Sequence, residues 1–164
     1  MLRTAVIALV TIGLAVVHAA RAAEQDDAVL IKAMSGAKVT LQQGLTASQP
    51  KGRPISAKFE VEDGKLQLSV YVENDKKFFE VIVDHVTGAI AKTEAITEGD
   101  DLAAAKLQSA AMAKAKSDLK TAVSKAIRTS SAVSVVPELK TGHPVATVVR
   151  LTNGTLQAVS QPLD

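Results

Sequence analysis

Short stretches of alternating hydrophobic and polar residues fill residues 55–95, and turn sequences separate them. Hydrophobic residues take every second position in 55–61, in 66–72 and in 79–83. The breaks between these rows are Asp63-Gly64, Asn74-Asp75 and Thr87-Gly88. Period-two alternation between such turns predicts antiparallel hairpins. We expect three strands here and a weaker fourth strand over 89–95.

A helix is predicted immediately before these strands. Thr40-Leu41-Gln42-Gln43 fits a capping box, in which the Thr40 hydroxyl accepts from the Gln43 amide and the Gln43 side chain reaches back. The helix is expected over 40–48, because Pro50, Gly52 and Pro54 follow. A hydrophobic stretch over 28–37 favours a further helix upstream. Together these elements predict an α+β unit with its helix against one sheet face.

The composition changes at residue 98. Residues 100–116 are rich in alanine and lysine and contain no glycine or proline, so they favour a helix. Ser117 or Asp118 is placed to cap a second helix, in which Leu119, Val123, Ala126 and Ile127 form one hydrophobic stripe. Strands are expected over 132–136, 145–151 and 155–160, with turns at Thr141-Gly142 and Asn153-Gly154.

The second half therefore repeats the element order of the first half. A single offset of 78 residues aligns Gly64 with Gly142, Val70 with Val148, Val81 with Val159 and Leu41 with Leu119. One offset that serves a helix and several strands favours an internal repeat. We predict an α+β protein with two helix-plus-antiparallel-sheet units joined by the alanine-rich helix. Units of roughly 50–60 residues are only marginally stable alone, so we expect them to pack on each other or on that helix.

The N-terminus has the three parts of a secretory signal peptide. Arg3 supplies positive charge, residues 4–17 are hydrophobic, and Ala20-Arg21-Ala22 fits the small-residue cleavage pattern. Retention as a membrane anchor is the alternative, but the hydrophobic run is shorter than the roughly 20 residues that a spanning helix needs. We predict a signal peptide over 1–23, a periplasmic or secreted mature chain, and membrane contact only during export.

The amino-acid composition excludes several classes of site and gives no support to nucleic-acid binding. The chain has no cysteine, which excludes disulfides, thiolate metal sites and cysteine nucleophiles. The sequence has 19 basic and 17 acidic residues, and loss of Arg3 and Arg21 with the leader would leave 17 of each. A balanced and interspersed charge gives no sign of a nucleic-acid-binding surface.

The strand sequences resemble the PepSY domain. The resemblance rests on residues 65–72, on Phe79-Glu80-Val81-Ile82-Val83-Asp84-His85-Val86-Thr87-Gly88, and on Thr141-Gly142 with the residues that follow. It covers roughly 38–96 and 117–164, although the second copy lacks the Asp-x-x-Thr-Gly ending. We therefore divide the chain into a signal peptide (1–23), unit 1 (28–97), a helical connector (98–116) and unit 2 (117–164).

The resemblance implies a non-catalytic protein with a cystatin-like fold, in which a helix packs on an antiparallel sheet. Members of the family occur in propeptides of secreted thermolysin-like proteases and as exported bacterial proteins. It implies binding to a protein partner in the cell envelope, such as a secreted protease that it restrains. The alternative from another class is an envelope module that binds a small molecule or a metal ion.

The reactive residue types do not form a complete motif. Ser117-Asp118-Leu119-Lys120 and Lys140-Thr141-Gly142 match two of the three elements of penicillin-binding enzymes, but Ser-Asp-Asn is absent. His85 and His143 each lie beside a turn and lack the three or four converging ligands of a metal site. The sequence from Asp84 to Gly88 is typical of a turn. We predict no catalytic, cofactor-binding or metal-binding residues.

The aromatic residues are the candidates for a partner surface. All four lie in the first predicted sheet, and Phe59 fits its core. Phe78 and Phe79 are adjacent, so they face opposite sides of a regular strand, and Tyr71 lies opposite the hydrophobic row of its own strand. At least one of Tyr71, Phe78 and Phe79 is expected on the sheet face away from the helix, where a partner or the second copy can cover it.

Overall fold

The computed structural model describes residues 26–164, so the predicted signal peptide lies outside the described residues. These residues fold as α+β, with four α-helices, one turn of 3-10 helix (Gln49–Lys51) and one antiparallel sheet of seven strands. The first helix, α1, is helical over 26–34. The other α-helices are α2 (Leu41–Ser48), α3 (Gly99–Lys114) and α4 (Leu119–Ala126).

The strands follow the predicted rows. They are β1 (Arg53–Glu62), β2 (Lys65–Asn74), β3 (Lys77–Val83), β4 (Ile90–Ile96), β5 (Ser131–Lys140), β6 (His143–Thr152) and β7 (Thr155–Pro162). Their order across the sheet is β4-β3-β2-β1-β5-β6-β7, so two meanders run outward from a central β1–β5 pair. In that pair, Ala57 lies opposite Val135 and Lys58 lies opposite Ser134.

Turn chemistry sets the register as predicted, with one shift. Asp63-Gly64, Thr141-Gly142 and Asn153-Gly154 each form a two-residue hairpin turn with positive φ at both residues. The turn between β2 and β3 was predicted at Asn74-Asp75, but it consists of Asp75 and Lys76, since both have positive φ and Asn74 still pairs with Lys77.

Helices cover both faces of the sheet. We call the side that carries Leu68 and Val70 face A, and the side that carries Tyr71 and Glu73 face B, because neighbouring strand residues point to opposite sides. α2 lies on face A, where Gly44 is so close to Leu68 that an added Cβ would lie 2.6 Å from Leu68 Cδ2. α4 also lies on face A, where Arg150 donates to the Ala126 carbonyl over 2.7 Å.

The alanine-rich helix α3 lies on face B, where it packs against β1, β5 and β6. The buried side chains form one continuous hydrophobic cluster that includes residues of all seven strands except β4 and β7. Half-buried Ile90, Ile96, Leu156 and Val159 of those two edge strands pack against it. The layers are therefore α2 and α4, the sheet, and α3.

One predicted boundary changes, and one of two predicted caps is selected. The strand predicted over 132–136 continues to Lys140, because Pro137 takes part in the β5–β6 pairing opposite Ala146 and stays buried. Proline is tolerated there because the described pairing of β5 with β1 is limited to residues 134 and 135. The cap of α4 is Asp118, whose side chain accepts from the Thr121 amide, and not Ser117.

Candidate functional site

The structure does not bring the three predicted surface aromatics together. Tyr71 is half-buried on face B. Phe78 is on the same face but is only 8 % exposed, and it lies beside Leu102 at the start of α3. Phe79 is half-buried on face A, where it pairs with Val72 and Ala95. Phe78 and Phe79 line a depression beside Leu102, and Tyr71 lines a separate one.

A cleft of about 180 Å³ lies between α3 and the sheet at Tyr71. From the sheet it is lined by Ser56, Lys58, Tyr71 and Val136, and from α3 by Asp101, Ala104 and Gln108. It combines an aromatic ring, a hydrophobic side chain, a cation and an anion within one small depression. Of these residue types, tyrosine is enriched in protein–protein interfaces, and polar residues are typical of the rim of such interfaces.

Polar contacts fix the wall that α3 contributes. The Ser56 hydroxyl donates to Gln108 Oε1 over 2.7 Å, and the Ser109 hydroxyl donates to Glu73 Oε2 over 2.7 Å. Arg53 Nη2 also donates to Glu73 Oε2, over 2.6 Å. The Ser109 hydroxyl, followed by Arg53, lowers the pKa of the Glu73 carboxyl. Glu73 is therefore anionic at neutral pH and links the sheet to the helix.

The protonation states of Lys58 and Tyr71 are fixed by their surroundings. Burial raises the pKa of the Tyr71 phenol to about 12, with Glu80 and Glu60 adding to the shift and Lys58 opposing it. Burial by itself lowers the pKa of Lys58. The hydrogen bond from Lys58 to Glu60 and the negative charge beside the ammonium outweigh that effect, so the pKa of Lys58 is raised. Lys58 Nζ lies 2.6 Å from Glu60 Oε2 and 5.7 Å from the centre of the Tyr71 ring.

Neither group is therefore suited to proton transfer or nucleophilic attack at neutral pH. A catalytic lysine or tyrosine needs a pKa brought down toward the working pH, and both values here move the other way. What the pair offers is a neutral phenol and a fixed ammonium over an aromatic face, which is a favourable cation–π arrangement. At this cleft the pair can contribute packing, hydrogen bonding and charge pairing.

The segment from Asp84 to Gly88 is a hydrogen-bonded turn. Asp84 Oδ1 accepts from the amides of Val86 and Thr87 over 2.9 and 2.7 Å, and the Gly88 amide donates to the Asp84 carbonyl over 2.8 Å. The Thr87 amide, followed by the Val86 amide, lowers the pKa of Asp84. This carboxylate is used within its own turn, as its sequence predicts.

The two described histidines lie far apart in the fold. His85 belongs to the turn after β3, and its carbonyl accepts from the amides of Lys38 and Val39. His143 begins β6 and its Nδ1 lies 3.1 Å from Asp164 Oδ2 on the exposed surface. Within residues 26–164, no three histidine, aspartate or glutamate side chains converge as metal ligands.

The partial penicillin-binding-enzyme pattern is divided between two structural features. Asp118 caps α4, and Ser117 donates its amide to the Leu163 carbonyl over 2.9 Å. Thr141 and Gly142 form the β5–β6 hairpin turn. Both segments have structural roles in the described fold.

Sequence reasoning missed most of the cleft. It identified Tyr71 but not Ser56 and Lys58, although these share the row of β1 that faces away from Ala57 and Phe59. The alternation of residues along β1 could therefore have placed Ser56 and Lys58 on the same sheet face as each other. The contribution of Asp101 and Gln108 had no comparable signal, because nothing in the alanine-rich segment indicates which side of the helix meets the sheet.

Comparison with known proteins does not assign the chain to a family. No protein-family model matches the sequence. No curated protein and no solved structure gives a significant match. Among the described helices, none has the length and hydrophobicity that crossing a membrane requires.

Proposed function

We propose that this chain is an exported, non-enzymatic protein of two PepSY-like units that acts by binding a protein of the cell envelope, in particular by restraining a secreted protease. The observation that carries the binding function is the cleft at Tyr71. There the Tyr71 ring, the Lys58 ammonium and the Asp101 carboxylate line one depression between α3 and the sheet, with Lys58 Nζ 5.7 Å from the centre of the ring.

Matching element boundaries support the division into two units. The first residues of α2 and α4, Leu41 and Leu119, are 78 positions apart. The same separation relates the first residues of β1 and β5, of β2 and β6, and of β3 and β7. The interruption of register between Pro54 and Ser56 in β1 recurs between Ala132 and Ser134 in β5, again 78 positions later.

The hydrogen bonds that close each unit support the division independently. In unit 1 the His85 carbonyl accepts from the amides of Lys38 and Val39 over 2.8 and 3.0 Å. At unit 2 the Leu163 carbonyl accepts from the amide of Lys116, the last residue of the connector, and from the Ser117 amide, over 2.6 and 2.9 Å. These three backbone positions follow those of unit 1 by 78 residues. Leu163 thus supplies in unit 2 the contact that the Asp84–Gly88 turn supplies in unit 1.

Export is proposed from the sequence of residues 1–23 alone. Because the chain contains no cysteine, the exported protein would have no disulfides and would depend on its hydrophobic core for stability. A periplasmic or secreted location would also place the cleft where secreted proteases are found.

The mechanism we propose is occlusion of the partner's surface. A partner side chain would enter the cleft, stack on Tyr71 and pair with Lys58 or Asp101. Arg53, Glu73 and Ser109 hold the helical wall in position, so little ordering is needed when the partner binds. No covalent bond is made or broken in this mechanism.

The proposal is tested by capture of cross-linked partners from the cell envelope, using the exported protein and two charge variants of the cleft, Tyr71→Asp and Lys58→Glu. We expect a protein partner of defined mass with the wild type and its loss with both variants, each of which must keep the wild-type circular dichroism spectrum. Leu107→Asp is the matched control, because Leu107 is 72 % exposed on α3 and does not line the cleft.

Retention of the same partner by both cleft variants would contradict the binding site. The narrower claim is tested by adding the purified protein to a thermolysin-type protease. Inhibition that is lost in Lys58→Glu supports it, and unchanged protease activity at all inhibitor concentrations rejects it.

A further inference from the structure

The two edges of the sheet differ in how well they are protected against pairing with another strand. An edge strand presents unpaired backbone N–H and C=O groups, and proteins usually protect it with charges, bulges or prolines. β4 has two of these features, a register shift between Ile82 and Val83 and the charged pair Lys92 and Glu94, whose Nζ and Oε1 are 2.8 Å apart.

β7 has neither feature along its length. Its residues from Thr155 to Gln161 are uncharged, and proline occurs only at its final position, 162. All eight of its residues pair with β6 in one continuous register. The uncharged stretch extends on both sides, from Leu151 through Leu163.

The outward-facing backbone groups of β7 can be assigned. A two-residue hairpin turn is flanked by a pair that exchanges both hydrogen bonds, which here is Thr152 with Thr155. Every second residue then bonds to β6, and the bond from the Leu163 amide to the Pro144 carbonyl, at 3.0 Å, fits this alternation. The N–H and C=O groups of Leu156, Ala158 and Ser160 therefore point away from the sheet.

We infer that β7 is a dimerisation edge, which pairs antiparallel with β7 of a second copy around Ala158. A strand without charge can pair with its own copy in any register without repulsion, whereas Lys92 and Glu94 restrict the registers in which two β4 strands can pair. In the Ala158-centred register, Leu156 lies opposite Ser160 of the second copy and the small Ala158 side chains meet at the two-fold axis. The result is a continuous fourteen-stranded sheet.

This inference does not depend on the proposed function, because the Tyr71 cleft lies near the centre of the sheet and stays open in the dimer. The β1–β5 pair at that centre shows the same kind of contact within the chain, since two outward-running meanders meet there through antiparallel strands.

The test is the mass of the exported protein in solution, measured by sedimentation equilibrium over a range of concentrations. We expect the mass of two chains for the wild type and for Thr93→Lys, which adds a charge to the exposed β4 edge. Ala158→Lys is expected to weaken dimerisation by more than about tenfold, because it places two like charges at the two-fold axis. Ala158→Pro is expected to do the same, because it removes an outward-pointing N–H.

The register is tested by distance. The chain has no cysteine, so Thr155→Cys introduces one label per copy, and six residues along the paired strands separate the two labels by about 20 Å. A monomeric wild type at every concentration would overturn the inference, and so would a dimer that both Ala158 variants leave unchanged. Protected amides at Leu156 and Ser160 in such a monomer would show that another segment occupies the edge.

Discussion

At the scale of single residues, three of the carboxylates with a lowered pKa take part in backbone or side-chain contacts that position a turn, a helix or a wall of the cleft. Asp84 accepts from two amides of its turn, Asp118 caps α4, and Glu73 joins Arg53 and Ser109. The sequence predicted the first from its turn chemistry and offered Asp118 as one of two caps. It did not predict the third, because the partners of Glu73 are 20 and 36 residues away along the chain.

The pKa values of these carboxylates predict acid sensitivity. All three are lowered, Asp84 first by the Thr87 amide, Asp118 by the Thr121 amide and Glu73 by the Ser109 hydroxyl. A lowered pKa in the folded state means that the unfolded chain binds the proton more readily, so stability should rise with pH. The contribution of each carboxylate to the free energy of unfolding is complete above its pKa in the unfolded chain, which is about 4. That contribution is lost as the pH falls through the lower pKa of the folded state.

We therefore expect the melting temperature to fall as pH decreases from about 5 to about 2. Asp84→Asn keeps an acceptor oxygen at the turn but cannot titrate, so it should reduce the slope of that decrease. Thermal denaturation followed by circular dichroism at several pH values measures both. An unchanged slope in Asp84→Asn would show that this carboxylate contributes nothing to the pH dependence.

At the scale of elements, periodicity and caps predicted the strands and the helices on face A. The capping box of Thr40 and Gln43 is present, with hydrogen bonds of 2.8 and 3.2 Å. The buried side of α4 follows its stripe, with Leu119, Val123 and Ala126 inside. The buried side of α3 was not predictable, because alanine lies on every side of that helix and only Ala105, Ala111 and Met112 are buried.

Gly44 tests how closely α2 packs on the sheet. Replacing a glycine inside a helix with alanine normally stabilises the helix by about 1 kcal/mol. Here the added Cβ would lie 2.6 Å from Leu68 Cδ2 and 3.1 Å from Leu68 Cγ, and Leu68 is fully buried. We expect Gly44→Ala to destabilise the protein by about 1–3 kcal/mol through overpacking.

Urea denaturation of the wild type and Gly44→Ala provides the measurement. Gly36→Ala is a suitable comparison, because it also replaces a glycine on the N-terminal side of β1 but its added Cβ would meet only the Ala33 carbonyl, at 3.3 Å. A variant with alanine at position 44 that is more stable than the wild type would show that α2 can move away from the sheet at little cost.

At the scale of the whole molecule, the sequence predicted two similar halves but not how they join. Packing of one unit on the other and packing of both on the alanine-rich helix were open alternatives, and the structure combines them. β1 and β5 pair at the centre of the sheet, while α3 crosses face B beside them. Strand pairing between distant segments leaves no periodic signal in a sequence, so this junction could not be predicted.

The junction also explains why the aromatic candidates are separated. Because α3 lies on face B, it covers Phe78 and leaves Tyr71 at the edge of a cleft. The proposed binding site thus depends on the whole assembly, since unit 1 contributes Tyr71 and Lys58, the connector contributes Asp101 and Gln108, and unit 2 contributes Val136.

The amide hydrogen exchange of Ala57 and Val135 tests the central claim that the two halves form a single sheet. In the hairpin closed by Asp63-Gly64, the even-numbered residues of β1 hydrogen-bond to β2, and in the hairpin closed by Thr141-Gly142, the even-numbered residues of β5 hydrogen-bond to β6. The amides of the odd-numbered residues point the other way, so the Ala57 amide points toward β5 and the Val135 amide points toward β1. We predict that both exchange as slowly as the amides of Leu68 and Val148, because they open only when the sheet unfolds. Rapid exchange at Ala57 and Val135, with Leu68 and Val148 still protected, would show two separate halves and contradict the account.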